Sequence, residues 1–322
     1  MQRYIARRVF LFIPTMLLGT LLVFTVMRVL PGDIALQILG ENVSQTNQEL
    51  NDQRLKDLRE TLGLTDPLPV QYGKWMWSMV NGQFGGKTLI SRLSIRSELA
   101  LRYPKTVELA VMASFLSLIL GIPSGVVAAI KQDRWQDYLI RIILVGGLSI
   151  PSFWLALMML LALLLLFGYT PPIAYINFTD DPWGNLQINI LPAFILGFHA
   201  ATGIARQTRA QILEVLRQDY IRTARSKGLM ERIVLWRHAM KNAMIPVVTV
   251  AGLSLVTLFG GTVILESIFG IPGIGSALIN GVQSRDYPLV QSMVTFFLFI
   301  TMVGNLIVDI SYGWLDPRIK YS

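Results

Sequence analysis

DYIRTARSKGLMERIVLWRHAMKNAMIP, residues 219–246, is the stretch whose reading decides the fold. From Arg206 to Lys241 there are nine Lys or Arg against three acids, Glu214, Asp219 and Glu231, a local charge of +6. A cation at the centre of a membrane helix costs about 2.5–3.5 kcal/mol on insertion scales. Nine of them keep this segment out of hydrocarbon. The runs on either side are as apolar as membrane spans, so residues 206–242 form a loop on the cytoplasmic side. The local pattern is helix, glycine, helix. Asp219 is placed to cap a helix over 220–227, and Gly228 to end it in the left-handed conformation. Leu229, Ile233, Trp236 and Met240 then fall at i, i+4, i+7 and i+11, an apolar stripe opposite Arg232, Arg237 and Lys241. A short helix with one apolar edge and several cations suits docking into a groove on a soluble partner.

Composition agrees with a membrane protein. The chain is 53% hydrophobic and 15% charged over 322 residues, with a mean hydropathy of +0.52, whereas soluble domains carry about 25% charged residues. The net charge of +8 is local in origin and reads as membrane topology, not nucleic-acid binding. With no cysteine, disulfides, thiol nucleophiles and thiolate metal sites are all excluded. His199 and His238 lie far apart and suggest no metal cluster.

Working outward, residues 1–30 hold Arg3, Arg7 and Arg8 before a long apolar run, too long for a signal peptide and read as a first, uncleaved span. Residues 31–104 form a polar outside region with a charged surface helix over 53–62 and an aromatic segment, 72–79, suited to the membrane interface. Gly82-Gln-Phe-Gly85-Gly86-Lys87-Thr88 imitates a phosphate loop but is one residue short and lacks a preceding strand. Asn42-Val-Ser44 and Asn177-Phe-Thr179 are chance matches to a glycosylation acceptor. The core, 105–311, starts with a second span over 106–130, whose Gly121 and Gly125 permit close helix packing around Pro123. A third span covers 142–167, and 169–189 is an outside loop without Lys or Arg. The fourth run, 190–205, reaches only about 24 Å and is expected to continue as an amphipathic helix through 206–217 into the basic 219–246 stretch. The fifth span is 247–265, the sixth 289–308, and 312–322 is a cytoplasmic tail.

Polar residues within this frame are few. Glu108 reads as a carboxylate paired near a helix N-terminus, with substrate contact as the alternative. His199 reads as a hydrogen-bonded packing residue, with a pore role as the alternative. The outside loop 266–288 is dense in Gly and Pro; a surface turn is one reading, and a loop folded back over the pore mouth is the other. On the second reading Glu266, Gly273 and Gly275 join His199 as candidate pore or gate residues. Inside segments hold 3, 3, 9 and 2 basic residues, against none and one in the two short outside loops, which puts both termini in the cytoplasm.

The 219–246 stretch also resembles the cytoplasmic coupling loop of binding-protein-dependent ABC importer permeases, loosely Glu-Ala-Ala-x-x-x-Gly with Ile-x-Leu-Pro further on. Here Arg222-Thr223 stands for Glu-Ala and Pro246 is the next proline, both of which are similar to the B-type permeases of the dipeptide, oligopeptide and nickel branch. VLPGD at 29–33, the pattern from Glu266 through RDYP at 285–288, and WLDPRIK at 314–320 resemble the same branch. The resemblance implies an all-α membrane protein with six transmembrane helices and the type I ABC importer permease fold, in a bacterial inner membrane. It implies partners: a paralogous permease, two cytoplasmic ABC ATPases that bind the ATP and magnesium, a solute-binding protein and membrane lipid. No catalytic residue, cofactor or metal of its own is implied. Asp219, Tyr220, Arg222, Thr223, Ala224, Arg225, Gly228 and Leu229 would then couple to the ATPase. An intramembrane enzyme lacks its paired carboxylates or His-Glu motif. A secondary transporter or channel, working without an ATPase, is the remaining alternative.

Overall fold

The computed structural model describes residues 2–29, 48–61, 64–172 and 174–315; VLPGD beyond Val29, Asn42-Val-Ser44 and the tail after Leu315 lie outside them. The helices are α1 (Gln2–Val29), α2 (Gln48–Thr61), α3 (Leu68–Val80), α4 (Ile95–Ile130), α5 (Trp135–Ser149), α6 (Ser152–Phe167) and α7 (Pro182–Leu216). They continue as α8 (Asp219–Ser226), α9 (Glu231–Ile233), a π-helical turn Val234–Ala239, α10 (Met240–Ile268), α11 (Ile274–Gln283) and α12 (Tyr287–Leu315). Among the described residues five stretches are long and apolar enough to cross a membrane: Ile5–Val29, α4, α7, Glu231–Ile268 and Tyr287–Ser311. The pair α5 and α6, bent by 102°, makes a sixth when the two are taken together as one span.

That bend corrects the reading of 142–167 as one unbroken span. Pro151 has no N–H to continue α5, and its ring pushes Ile150 to an extended conformation at φ −98°, ψ 122°. Apolarity is the same on both sides of the break, so a hydropathy average passes over it. Two loops are also shorter than expected. Residues 182–189 are helical, because Asp181 accepts a hydrogen bond from Trp183 N at 3.0 Å with Pro182 in the first turn. Likewise α4 starts at Ile95, whose side chain is fully buried, and runs through Pro104 to Ile130.

The centre of the molecule is the pairing of α4 with α7. A Cβ on Gly121 would stand 2.9 Å from the Ala201 carbonyl, and one on Gly125 would stand 2.5 Å from that of Ala205. Only glycine lets the two backbones approach so closely. Leu109, Ala113, Ile188, Ile195 and Leu196 fill the seam above, joined by Leu258 and Leu265 of α10. At the periphery α1 packs on α12, with Gly19 against Leu298 and Arg8 paired to Asp309 at 2.7 Å.

Candidate functional site

The 219–246 segment is seated on its own chain. Ile221 is fully buried and Ala224 nearly so, packed with Val234 and Ala239 among Val215, Leu216 and Leu235. Burying one such isoleucine contributes about 1.5–3 kcal/mol, enough to hold an eight-residue helix that would not form alone. Ala224, expected to meet an ATPase groove, thus faces inward and supports α8 from beneath. The outer face carries Tyr220, Arg222, Thr223, Arg225 and Lys227, all exposed. Asp219 is the first residue of α8 and not its cap; Gln218 precedes it in extended conformation. Asp219 still favours the helix N-terminus by its charge and lies 3.7 Å from Arg222. Thr223 Oγ1 donates to the Asp219 carbonyl at 3.0 Å. Asn242 Nδ2 donates to the Tyr220 hydroxyl at 2.9 Å, tying α8 to α10.

Gly228 has φ +76°, and its N–H donates to the Arg225 carbonyl at 2.9 Å. The chain reverses there, and Arg225 grips Glu231 at 2.7 and 3.3 Å across the turn. The expected stripe through Leu229, Ile233, Trp236 and Met240 does not form. Leu229 precedes α9, and the π turn adds residues per turn and rotates the residues after it. Leu229 and Trp236 are therefore exposed, while Val234, Ala239 and Met240 are buried. A cavity of about 440 Å³ opens beside this turn, lined by Gln132, Leu216, Arg217, Arg232 and Trp236 among others.

Two pins connect the bent α5–α6 pair to α7. Asp137, with no exposed side-chain surface, receives Arg209 Nε at 2.9 Å and Nη2 at 2.8 Å. Arg141 stands 3.3 Å away, and the Asp133 N–H donates to the same carboxylate at 3.1 Å. His199 is the second pin: Nδ1 is 3.1 Å from the Ile195 carbonyl, and Nε2 is 3.0 Å from that of Ile150 at the bend. A neutral ring donates to one of these carbonyls and a protonated ring to both.

At the other end of the bundle the structure brings Glu266, Gly273 and Gly275 together, apart from His199. Glu266 is fully buried; Thr106 Oγ1 donates to it at 2.7 Å and Ser276 N at 3.0 Å. Thr106 accepts in turn from Ile274 N at 2.9 Å. The carboxylate folds against the backbone of Gly273 and Gly275, where a Cβ would collide with it. As an accessible pore-lining group Glu266 is misplaced: it fastens the start of α11 to α4 instead. Glu108 sits well inside α4, not near its N-terminus; Tyr175 donates to it at 3.0 Å and Asn189 at 3.4 Å. Burial first, and the Glu108 charge with it, pushes the Tyr175 hydroxyl up to about 12.

Residues 121–321 match the family model described as a binding-protein-dependent transport system inner membrane component, and residues 1–110 match its N-terminal counterpart. The chain belongs to this permease family. It is 40% identical to a putative peptide transport system permease protein of Brucella abortus, over all of both chains. With a dipeptide transport system permease protein, DppB, of Alkalihalophilus pseudofirmus it shares 38% identity, again over both full lengths. The fold is similar to a solved inward-facing MetNI methionine ABC transporter chain, with a TM-score of 0.55, 17% identity, and coverage of 68% of this chain and 96% of that one.

Several residues of this permease escaped the sequence reading. Asp137 and Arg209 lie 72 positions apart, and no local pattern joins them. Thr106 and Asn189 look like ordinary polar residues in apolar helices. Asp286 was legible: Asp-Tyr-Pro is a helix start, and Leu289 N donates to Asp286 Oδ1 at 3.2 Å. The same carboxylate accepts from Leu89 N at 2.8 Å. It thereby holds the glycine loop that imitates a phosphate site, after which Lys87 pairs with Ser94 in an antiparallel bridge and no helix begins before Ile95.

Proposed function

We propose that this permease is one half of an ATP-driven importer of di- or oligopeptides. It pairs with a paralogous permease and receives substrate from an extracytoplasmic binding protein. Two cytoplasmic ATPases dock on α8 and bind the ATP and magnesium, so the chain performs no catalysis itself. Both termini face the cytoplasm. The observation carrying this reading is α8 itself: a helix buried on one side, cationic on the other, and fixed to its neighbour through Gly228. A rigid basic knob of this kind suits a groove on a soluble partner, and its charge keeps it on the cytoplasmic side. Peptide as the cargo rests on the names of the full-length relatives. The test is purification of the tagged chain from native membranes in mild detergent. A second permease and an ATPase are expected to accompany it, and ATP-dependent uptake of a labelled dipeptide is expected on reconstitution. A particle of this chain alone that transports without ATP would overturn the proposal.

A further inference from the structure

A cavity of about 520 Å³ lies between α1 and α3, lined by Leu21, Phe24, Arg28, Leu68, Gln71 and Tyr72 among others. Two buried polar atoms in its wall, Arg28 Nε and Gln71 Oε1, have no hydrogen-bond partner among the described residues. Gln71 is only 9% exposed. Its Nε2 donates to the Leu64 carbonyl at 3.1 Å and the Asp66 carbonyl at 2.8 Å. Turning the amide over would set an oxygen against those two carbonyls, so Oε1 is the atom that must remain an unfilled acceptor. Arg28 lies over the Phe24 ring at 5.2 Å and has no ion pair among the described residues. The cavity wall therefore presents two complementary groups at once, a guanidinium suited to an anion and an amide oxygen suited to a hydrogen-bond donor.

Its position narrows the occupant. Arg8 at one end of α1 pairs with Asp309 near the end of α12, and Gly19 meets Leu298 in the middle. Arg28 is thus level with the beginning of α12, at the end of the bundle opposite the coupling loop. Beside it α1 exposes Leu22, Val26 and Val29, a face suited to hydrocarbon. Tyr72 runs from the cavity down α1, its hydroxyl meeting Thr20 Oγ1 at 2.9 Å, and so closes the wall on the side of the helix middle.

We propose that this cavity binds a membrane phospholipid whose head group carries an N–H or O–H, such as phosphatidylethanolamine or phosphatidylglycerol. The phosphate accepts from Arg28, the ammonium or glycerol hydroxyl donates to Gln71 Oε1, and the acyl chains run along Leu21, Phe24 and Leu68. Phosphatidylcholine offers the same phosphate but its quaternary nitrogen has no proton to give. A free anion would leave the apolar wall uncovered. A short peptide carries both charges but would have to enter from the lipid-facing flank, away from the α4–α7 centre.

Native mass spectrometry of the full-length chain, purified with whatever subunits accompany it, tests this. The detergent-solubilised protein is offered each of the three lipids in turn. Phosphatidylethanolamine or phosphatidylglycerol is expected to be retained at least about tenfold better than phosphatidylcholine, the worth of one satisfied buried acceptor. Arg28→Met should lower retention of all three by about tenfold or more, while Arg96→Met, an exposed arginine outside the cavity, should not. Gln71→Leu should erase the preference over phosphatidylcholine, and it probes the same cavity if Arg28→Met fails to accumulate. Equal retention of all three lipids by the unaltered chain, retention indifferent to Arg28→Met, or displacement of the lipid by a dipeptide would overturn the proposal. The measurement needs neither ATP nor transport, so its failure leaves the importer reading untouched.

Discussion

Replacing Gly228 by valine isolates the backbone's role in coupling. A Cβ there meets nothing within 4 Å, so added bulk by itself does no harm. The residue's φ of +76° is what valine resists, at about 1–2 kcal/mol for an ordinary L-residue and more for a β-branched one. The turn relaxes where it is weakest. Arg225 and Glu231, which bridge it, have 42% and 70% exposed side chains, and an exposed pair of this kind holds with about 0–1 kcal/mol. The strain exceeds the bridge, so the bridge opens and α8 shifts relative to α9. The membrane core is remote from this event, and the protein should accumulate normally. ATP-dependent uptake should fall at least about tenfold, because a shift of this size misplaces docking groups. Gly228→Asn separates conformation from size: it is bulkier than alanine yet tolerates left-handed φ, and should transport better than Gly228→Ala. Uptake that declines with side-chain volume, asparagine below alanine, would refute the reasoning, as would wild-type uptake by the valine variant.

Three further outcomes follow from the pins and from topology. Arg209→Met leaves the fully buried Asp137 with only Arg141 at 3.3 Å and should destabilise the detergent-solubilised protein by up to about 3–5 kcal/mol; Asp137→Ala removes the buried charge and leaves Arg209 and Arg141, 23% and 43% exposed, free to turn to water, and should cost less, a ranking that thermal unfolding reads directly. Gly275→Ala, whose Cβ meets Val263 and the Glu266 carboxylate, and Thr106→Val, which orphans Ile274 N and Glu266 Oε1, should each lower the unfolding midpoint by several degrees, and wild-type midpoints would remove the clamp described for Glu266. Because the chain has no cysteine, single cysteines report topology cleanly: Thr179→Cys should react with an impermeant maleimide in intact cells and Ser226→Cys should not, and the reverse pattern would invert the membrane orientation.

What the sequence discloses depends on how local each signal is. Span positions are legible because hydropathy averages over the full thickness of the bilayer, and the Gly121–Gly125 spacing marks a contact that the structure realises between α4 and α7. Gly228 is legible for the same reason, since a glycine after a short basic helix has one common conformation. Asp181-Pro182 is also a local helix-start signal, but the reading of 169–189 as an outside loop passes over it, and the second span, read from 106, likewise starts later than the helix at Ile95. The Ile150-Pro151 break is written in the chain but lies between runs of equal apolarity. The π turn has no sequence mark: Leu229, Ile233, Trp236 and Met240 satisfy an α-helical template that the backbone abandons. Gly273 and Gly275 are visible as a loop motif, but the carboxylate that demands them folds back from Glu266, and only packing places it there.

The arrangement of pins indicates which elements move together when α8 is pushed. Helix α7, with 35 residues, is about 52 Å long and carries a fixed contact at each level. Asn189 holds Glu108 near its N-terminal end, His199 holds the bend at Ile150, and Arg209 holds Asp137 near its C-terminal end. The α4 backbone lies directly against it at Gly121 and Gly125, so α4 cannot lag behind without opening a void. The Arg209 pin, an ion pair with one fully buried partner, costs up to about 3–5 kcal/mol to break by removing the arginine, against about 0–1 kcal/mol for the exposed bridge across Gly228. A load on α8 that exceeds the second and not the first is taken up at the Gly228 turn. One passed through the Ile221 and Ala224 seat reaches Leu216 and turns α7, α4, α5 and α6 as a single body. If α8 is the docking helix proposed above, the stiffness of the turn sets how much of a push reaches α7, which is why Gly228, whose side-chain position is open space, is the residue whose replacement should cost transport most.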